Sequence, residues 1–298
     1  MDDDQAAMGP AERWLRTSAT VLAPVTVLGA LLFYFGYVSA RSQYEYFGID
    51  VDTIGLGTQD YIMRSPQPLL VPLLVLALLG VGSLALHSVV REHLATADVR
   101  RASLYRLPVR ILSIIGLAVL GAGVVLLFAY TALRDWSLYP LVTPLVIAFG
   151  AATAGYASHV LKLLGPFPRS GVLRRLSGGF LAAVIAVSVF WATATLAQWS
   201  GRGLAQDSAR KLDLLPIVIL DTKERLFLGG AGIEETTLVP ASEGQTFHYR
   251  YRNLRLLIHG RDRMFLVPKS WAPGHTTLVV PLDGEVRVQF QFQNQPPD

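Results

Sequence analysis

The residues best suited to chemistry lie in two places. The first is the segment 41–65, which reads Tyr44-Glu45-Tyr46-Phe47-Gly48-Ile49-Asp50, then Val51-Asp52, then Gly57-Thr58-Gln59-Asp60-Tyr61, with Arg64 and Ser65 closing it. Asp50, Asp52 and Asp60 carry the oxygen ligands that hard cations take, although their spacing is too short for an EF-hand loop. Thr58 can cap a short helix whose Tyr61 and Ile62 face a bilayer. Three readings stay open: an interfacial cap over a helix bundle, a vestibule for a substrate or ion, and a cation site. The vestibule would be built from Tyr46, Phe47, Asp50, Asp52, Asp60, Tyr61 and Arg64.

The second place is 246–252, where Phe247, Tyr249 and Tyr251 alternate with His248, Arg250 and Arg252. A period of two is that of a half-buried strand. Its cationic side, His248, Arg250 and Arg252, is either a solvated face or a site for an anion or polysaccharide. Residues 202–298 hold 12 Lys and Arg against 11 Asp and Glu, too even a balance to steer a charged ligand from a distance.

Other chemistries are absent. The chain has no cysteine, so disulfides, thiolate nucleophiles and Cys-ligated metals do not arise. There is no phosphate loop, serine elbow, zinc helix or dinucleotide fingerprint. The sequence predicts no catalytic residue, metal or cofactor, and the expectation is that the protein is not an enzyme.

These segments must be positioned by apolar helices. Leu176–Gly201 is 26 residues without Lys, Arg, Asp, Glu or His, closed by Arg175 and Arg202. Crossing a hydrocarbon core of about 30 Å takes roughly 20 apolar residues in a helix, which bonds its own backbone where water is absent. Four similar stretches precede it, and the chain is 52% hydrophobic and only 16% charged, well short of the roughly 25% charged of soluble domains. Five spans are predicted, at about 17–40, 67–90, 111–133, 138–161 and 178–199. A membrane all-α bundle over 1–201 then carries a small C-terminal all-β domain over 202–298. Val38-Ser39-Ala40 resembles a peptidase site, but the preceding apolar run is too long and its acidic start is wrong for a signal peptide.

Charge bias orients the spans. Eleven Lys and Arg fall in the lead, in the 91–110 loop and in the 162–175 loop, against Arg41, Arg64 and Arg134 on the other side. The positive-inside rule places the N-terminus in the cytoplasm and the β domain outside. The five cations of 91–110 read as a topology signal against anionic lipid, with no nucleic acid as partner. His87 and His159 sit near the cytoplasmic surface as solvated interfacial residues; a metal site is the sharper alternative. No Asp, Glu, Lys or Arg occupies the middle of a span, which argues against proton-coupled transport. Ala118 with Ala122, Gly150 with Ala154, and Ala151 with Gly155 are small pairs at four-residue spacing. They suit close helix packing within the chain or a homo-oligomer face.

In the tail, seven short strands are expected: 216–221, 225–228, 246–252, 254–259, 263–267, 276–282 and 285–292. Turns are expected at Gly229-Gly230, Arg261-Asp262 and Asp283-Gly284. Seven strands in so short a stretch suggest an antiparallel sandwich or barrel. Residues 200–215 are expected to connect it as a partly helical linker.

The run Tyr46-Phe47-Gly48-Ile49-Asp50, with Thr58-Gln59-Asp60-Tyr61 and Arg64-Ser65, resembles polytopic membrane proteins of actinobacteria. Asp221-Thr222-Lys223-Glu224-Arg225-Leu226 and the 251–268 stretch look similar to their outer domains. The resemblance implies this architecture and brings no assigned activity. Two functions follow as expectations. One is a non-enzymatic, multi-pass protein of the bacterial plasma membrane, its outer β domain binding a partner protein or envelope component. The other is an oligomeric pore subunit with 41–65 as its outer vestibule, where Asp50→Asn and Asp60→Asn would alter ion selectivity.

Overall fold

A computed structural model describes residues 10–95, 99–164, 171–228, 232–239, 244–272 and 274–291. The helices are α1 (Pro10–Glu45), α2 (Thr58–Arg64), α3 (Pro66–Ala95), α4 (Val99–Phe128), α5 (Tyr130–Leu133), α6 (Tyr139–Leu163) and α7 (Gly171–Arg210). The strands are β1 (Ile217–Thr222), β2 (Glu234–Thr237), β3 (Tyr249–His259), β4 (Arg263–Pro268), β5 (Leu278–Pro281) and β6 (Val286–Gln291). Five helices are long and apolar enough to cross a membrane: within 24–45, 66–94, 104–128, 139–163 and 178–210. The chain divides into two compact units, Leu69–Ala197 and a second made of Met1–Pro68 with Gln198–Asp298. The divisions fall inside α3 and α7, so helices run through them.

In the Leu69–Ala197 unit, α4 and α6 meet with backbones almost touching. A Cβ built on Gly116 would lie 2.5 Å from the Ala154 nitrogen, and one on Gly150 would lie 2.4 Å from the Leu120 nitrogen. Gly123 approaches Ile147 in the same way. Within the chain, this close contact is not made by the small pair expected on α4. Ala118 and Ala122 are exposed, while Gly116 and Gly123, seven apart, face α6. Seven residues return a helix to nearly the same face, as four do.

Proline within α6 is accommodated from the neighbouring helix. Pro144 has no N–H, so the Pro140 carbonyl one turn earlier loses its helical donor. The Thr195 hydroxyl of α7 donates to that carbonyl at 3.1 Å, as well as to Trp191 O in its own helix at 3.2 Å. In an apolar surround such a repair is required, because no water can take the place of the missing donor. At the other end of α6, the Arg106 guanidinium donates to Leu164 O at 2.8 Å, a cation on an otherwise unfilled helix C-terminus. The 91–110 segment, expected as a loop, is mostly the ends of α3 and α4, which leave only 96–98 outside the described residues. Its Arg, Leu and Ala are good helix formers, so the charges end the apolar run without ending the helix. Much of the 162–175 loop, 165–170, lies outside the described residues.

The second unit is built on one antiparallel sheet of order β5-β4-β3-β1-β6, with β2 alongside the first half of β3. The path is open. The two strands expected at 246–252 and 254–259 are one strand, β3, bent where Asn253 adopts φ +63°. There β3 gains one residue against β1, since Val218 pairs with Leu254 but Leu220 with Tyr251. A bulge of this kind sharpens the twist. Residues 225–228 form no strand, and the Gly229-Gly230 turn lies outside the described residues. Glu234–Thr237, unremarked in the sequence, pairs with β3. The predicted linker is helical as far as Arg210, followed by a 3-10 turn at 212–214.

The sheet has two buried clusters. Val218, Leu220, Tyr251, Leu254, Met264, Leu266 and Val280 form one. The other joins Ile258, Phe265, Val267 and Trp271 of the tail to Tyr44, Phe47, Ile49, Val51, Ile54 and Tyr61, with Ala205 and Leu212. Strand β4 divides between them by strict alternation: Met264 and Leu266 face one, Phe265 and Val267 the other.

Candidate functional site

The apolar side chains of the 41–65 segment fold as core. Gly48, at φ +74°, turns the chain off the end of α1, a backbone form favourable to glycine. Phe47 then lies against Trp271, ring centroids 4.8 Å apart, with Tyr46 at 5.8 Å on the same indole. The Thr277 hydroxyl donates to Phe47 O at 2.7 Å, and the Arg261 N–H to Ile54 O at 3.2 Å. Two helix contacts complete the body. A Cβ on Gly36 would lie 1.9 Å from Tyr61 O, and one on Gly201 would lie 2.0 Å from Ser39 O. Only glycine lets α2 and α7 come so close to α1.

The three acids of this segment are exposed, and each has a local partner. Asp50 starts the 3-10 turn Val51–Ile54 by accepting from the Asp52 N–H at 3.2 Å. Asp60 accepts from the Gly57 N–H at 2.8 Å, across the first turn of α2. Asp52 accepts from the Tyr37 hydroxyl at 3.2 Å. Arg64 donates to the Tyr44 hydroxyl at 2.9 Å and lies over its ring. Tyr61 is buried between Phe33 and Tyr37, and burial raises the pKa of its phenol. Among the described residues no group of three His, Asp or Glu is placed to hold a metal. His87 and His159 do meet, ring centroids 5.6 Å apart, beside Tyr156.

The arginine-bearing strand behaves differently. Register places Asp221 of β1 directly between Arg250 of β3 and Arg287 of β6. The Asp221 side chain is wholly buried, yet accepts from both guanidiniums. Arg250 donates Nε to Oδ1 at 2.7 Å and Nη2 to Oδ2 at 3.0 Å. Arg287 donates Nε and Nη2 to Oδ2 at 3.0 and 2.6 Å, and Gln289 adds a contact at 3.3 Å. Burial pushes the Asp221 carboxyl up, but the hydrogen bonds and charges of the two arginines outweigh it and hold the group below the usual aspartate range. The hydrogen bond to Asp221 in turn raises Arg250. One buried negative charge thus fixes two positive ones, and the cluster keeps a net charge of +1.

Arg250 and Arg287 line an open groove of about 420 Å³ with Leu238, Val239, Phe247 and the Gln245–Thr246 pair. The Arg287 guanidinium stands 5.0 Å from the centre of the Phe247 ring. The other two residues of the expected face do not join it. His248 is exposed, with Nδ1 3.3 Å from Lys223 O. Arg252 lines a smaller neighbouring groove of about 250 Å³ with Lys269, Glu234 and Asn253. Arg255 is buried and donates to the Asp213 and Leu215 carbonyls. Sequence reading therefore named Arg250 and missed Asp221 and Arg287. The available signal was an aspartate closing the apolar run Ile217-Val218-Ile219-Leu220, where a carboxylate cannot be buried without a cation. Compared with family models, curated proteins and solved structures, the chain matches none.

Proposed function

We propose that the protein is a non-enzymatic, multi-pass component of the bacterial plasma membrane whose helices anchor an outer β module that binds an envelope component. The observation that carries this reading is the shared core of 44–61 with the tail. If five helices each cross the bilayer, the segment after the first and the segment after the fifth emerge on the same side. A common core demands the same of them, and the Lys and Arg bias supplies the side: outside for the module, cytoplasm for the N-terminus. The module extends from α7 and carries an open, positively charged groove, which suits recognition by a fixed surface. A pore would draw on Asp50, Asp52 and Asp60 as a vestibule. Their engagement in caps and a tyrosine contact favours the binding module instead.

The test is topological. A reporter active only outside the cytoplasm is expected to work when fused after Asp298 and to fail when fused after Arg106. The opposite pattern would place the module in the cytoplasm and end the envelope reading.

A further inference from the structure

We infer that the Arg250–Asp221–Arg287 groove is an anion site, taking a phosphate or carboxylate group carried on a partly apolar body. The inference rests on the binding-module reading above and names what the module binds. One arginine would neutralise Asp221; the second leaves a positive charge that nothing in the cluster cancels. Both guanidiniums spend Nε and Nη2 on Asp221, which leaves the Nη1 groups without an acceptor among the described residues. The Asp221 carboxylate is wholly buried and takes all five of its contacts from within the cluster, so what the two guanidiniums present to a ligand is donors.

The two arginines are also set in advance. A side chain already held by two hydrogen bonds to a buried carboxylate loses less freedom when it takes up a ligand. Their exposures differ usefully, 23% for Arg250 and 49% for Arg287, so the outer one is reachable while the inner one braces it. The apolar part of the ligand is argued from the walls. Val239 is 83% exposed beside Leu238, and Phe247 backs Arg287. An isolated inorganic ion would leave these walls in water, whereas an organic anion covers them.

The probes are phenyl phosphate, benzoate, inorganic phosphate and benzyl alcohol, titrated calorimetrically against the full chain in a non-ionic detergent. Phenyl phosphate or benzoate is expected to saturate and to bind more tightly than inorganic phosphate. Which of the two is tighter assigns the headgroup. Arg287→Gln is expected to weaken the better probe about tenfold, as for loss of a charge-assisted contact. Val239→Glu, a change at an exposed wall, is expected to weaken it too and guards against misfolding of the first variant. Arg252→Gln removes the same charge from the neighbouring groove and is expected to weaken it less than threefold. Absence of saturable binding by either organic anion would overturn the site. So would equal losses in Arg287→Gln and Arg252→Gln, or tightest binding by benzyl alcohol. Because the titration is done in detergent, its failure is distinct from a failed reporter assay, which speaks only to topology.

Discussion

Two regions of this chain advertise chemistry, and they use it differently. The 41–65 segment is rich in aromatics and acids, and its aromatics are spent on the core while its acids hold turns. The β1–β3–β6 face has a plainer sequence, yet it keeps a buried carboxylate under two arginines and an open groove. Conspicuous composition therefore reports on how hard a segment must work to be ordered as much as on binding. A connection between two apolar helices that also serves as part of a β-domain core needs large side chains, and Phe47, Tyr61 and Ile54 supply them.

The comparison is broken most strongly by removing one member of each region. Phe47→Ala should cost about 4 kcal/mol, in the range for deleting a buried aromatic. Denaturant titration in detergent, followed by the fluorescence of the neighbouring Trp271, would measure it. A loss below about 1 kcal/mol would mean the segment only lies against the sheet. Asp221→Asn should cost about 3 kcal/mol, the low end for breaking a buried ion pair, because both guanidiniums reach solvent. The same titration reads it, and the two losses should add, since the sites share no contact.

Acid sharpens the same contrast. Asp221 is held below an unfolded aspartate, whose ordinary pKa is 3.8. Its contribution to stability is therefore fully present above that value and is lost as pH falls through the lower, folded one. The wild type should lose more stability below about pH 4 than Asp221→Asn does. Equal acid sensitivity of the two would show that the triad is not the titrating unit. The smallest effect is expected from the exposed acids of 41–65. Asp50→Ala and Asp60→Ala should each cost about 1 kcal/mol, as caps do, and leave phenyl phosphate binding unchanged.

The helices were legible because long uncharged runs of helix-forming residues stand out in a sequence, and the five helices long and apolar enough to cross a membrane follow those runs. Their ends were not, since the helix outlasts the apolar window: α1 continues to Glu45 and α7 to Arg210. Alternation located β3 and β6 but could not show that Asn253 is a bulge within one strand. It was blind to β2, whose Glu234-Glu235-Thr236-Thr237 has no apolar face and is held by backbone pairing. The site was half legible for a related reason. A period of two assigns faces, so Arg250 and Arg287 could each be called outward. Register alone decides that Asp221 lies between them, and register is set by pairings between residues as far apart as Asp221 and Arg287, 66 positions along the chain.

The central claim is that 41–65 belongs to the body of the β domain. The chain has no cysteine, so an introduced pair is unambiguous. A Cβ at Gly55 lies 3.3 Å from that of Arg261, close to the roughly 3.5–4.5 Å of a disulfide. The strain of a side chain at the Gly55 φ of +75° is about 1 kcal/mol. The double variant Gly55→Cys, Arg261→Cys, oxidised in isolated membranes and digested for mass spectrometry, should yield one peptide pair bridged between 55 and 261. Two separately alkylated peptides, with no bridged species, would contradict the account.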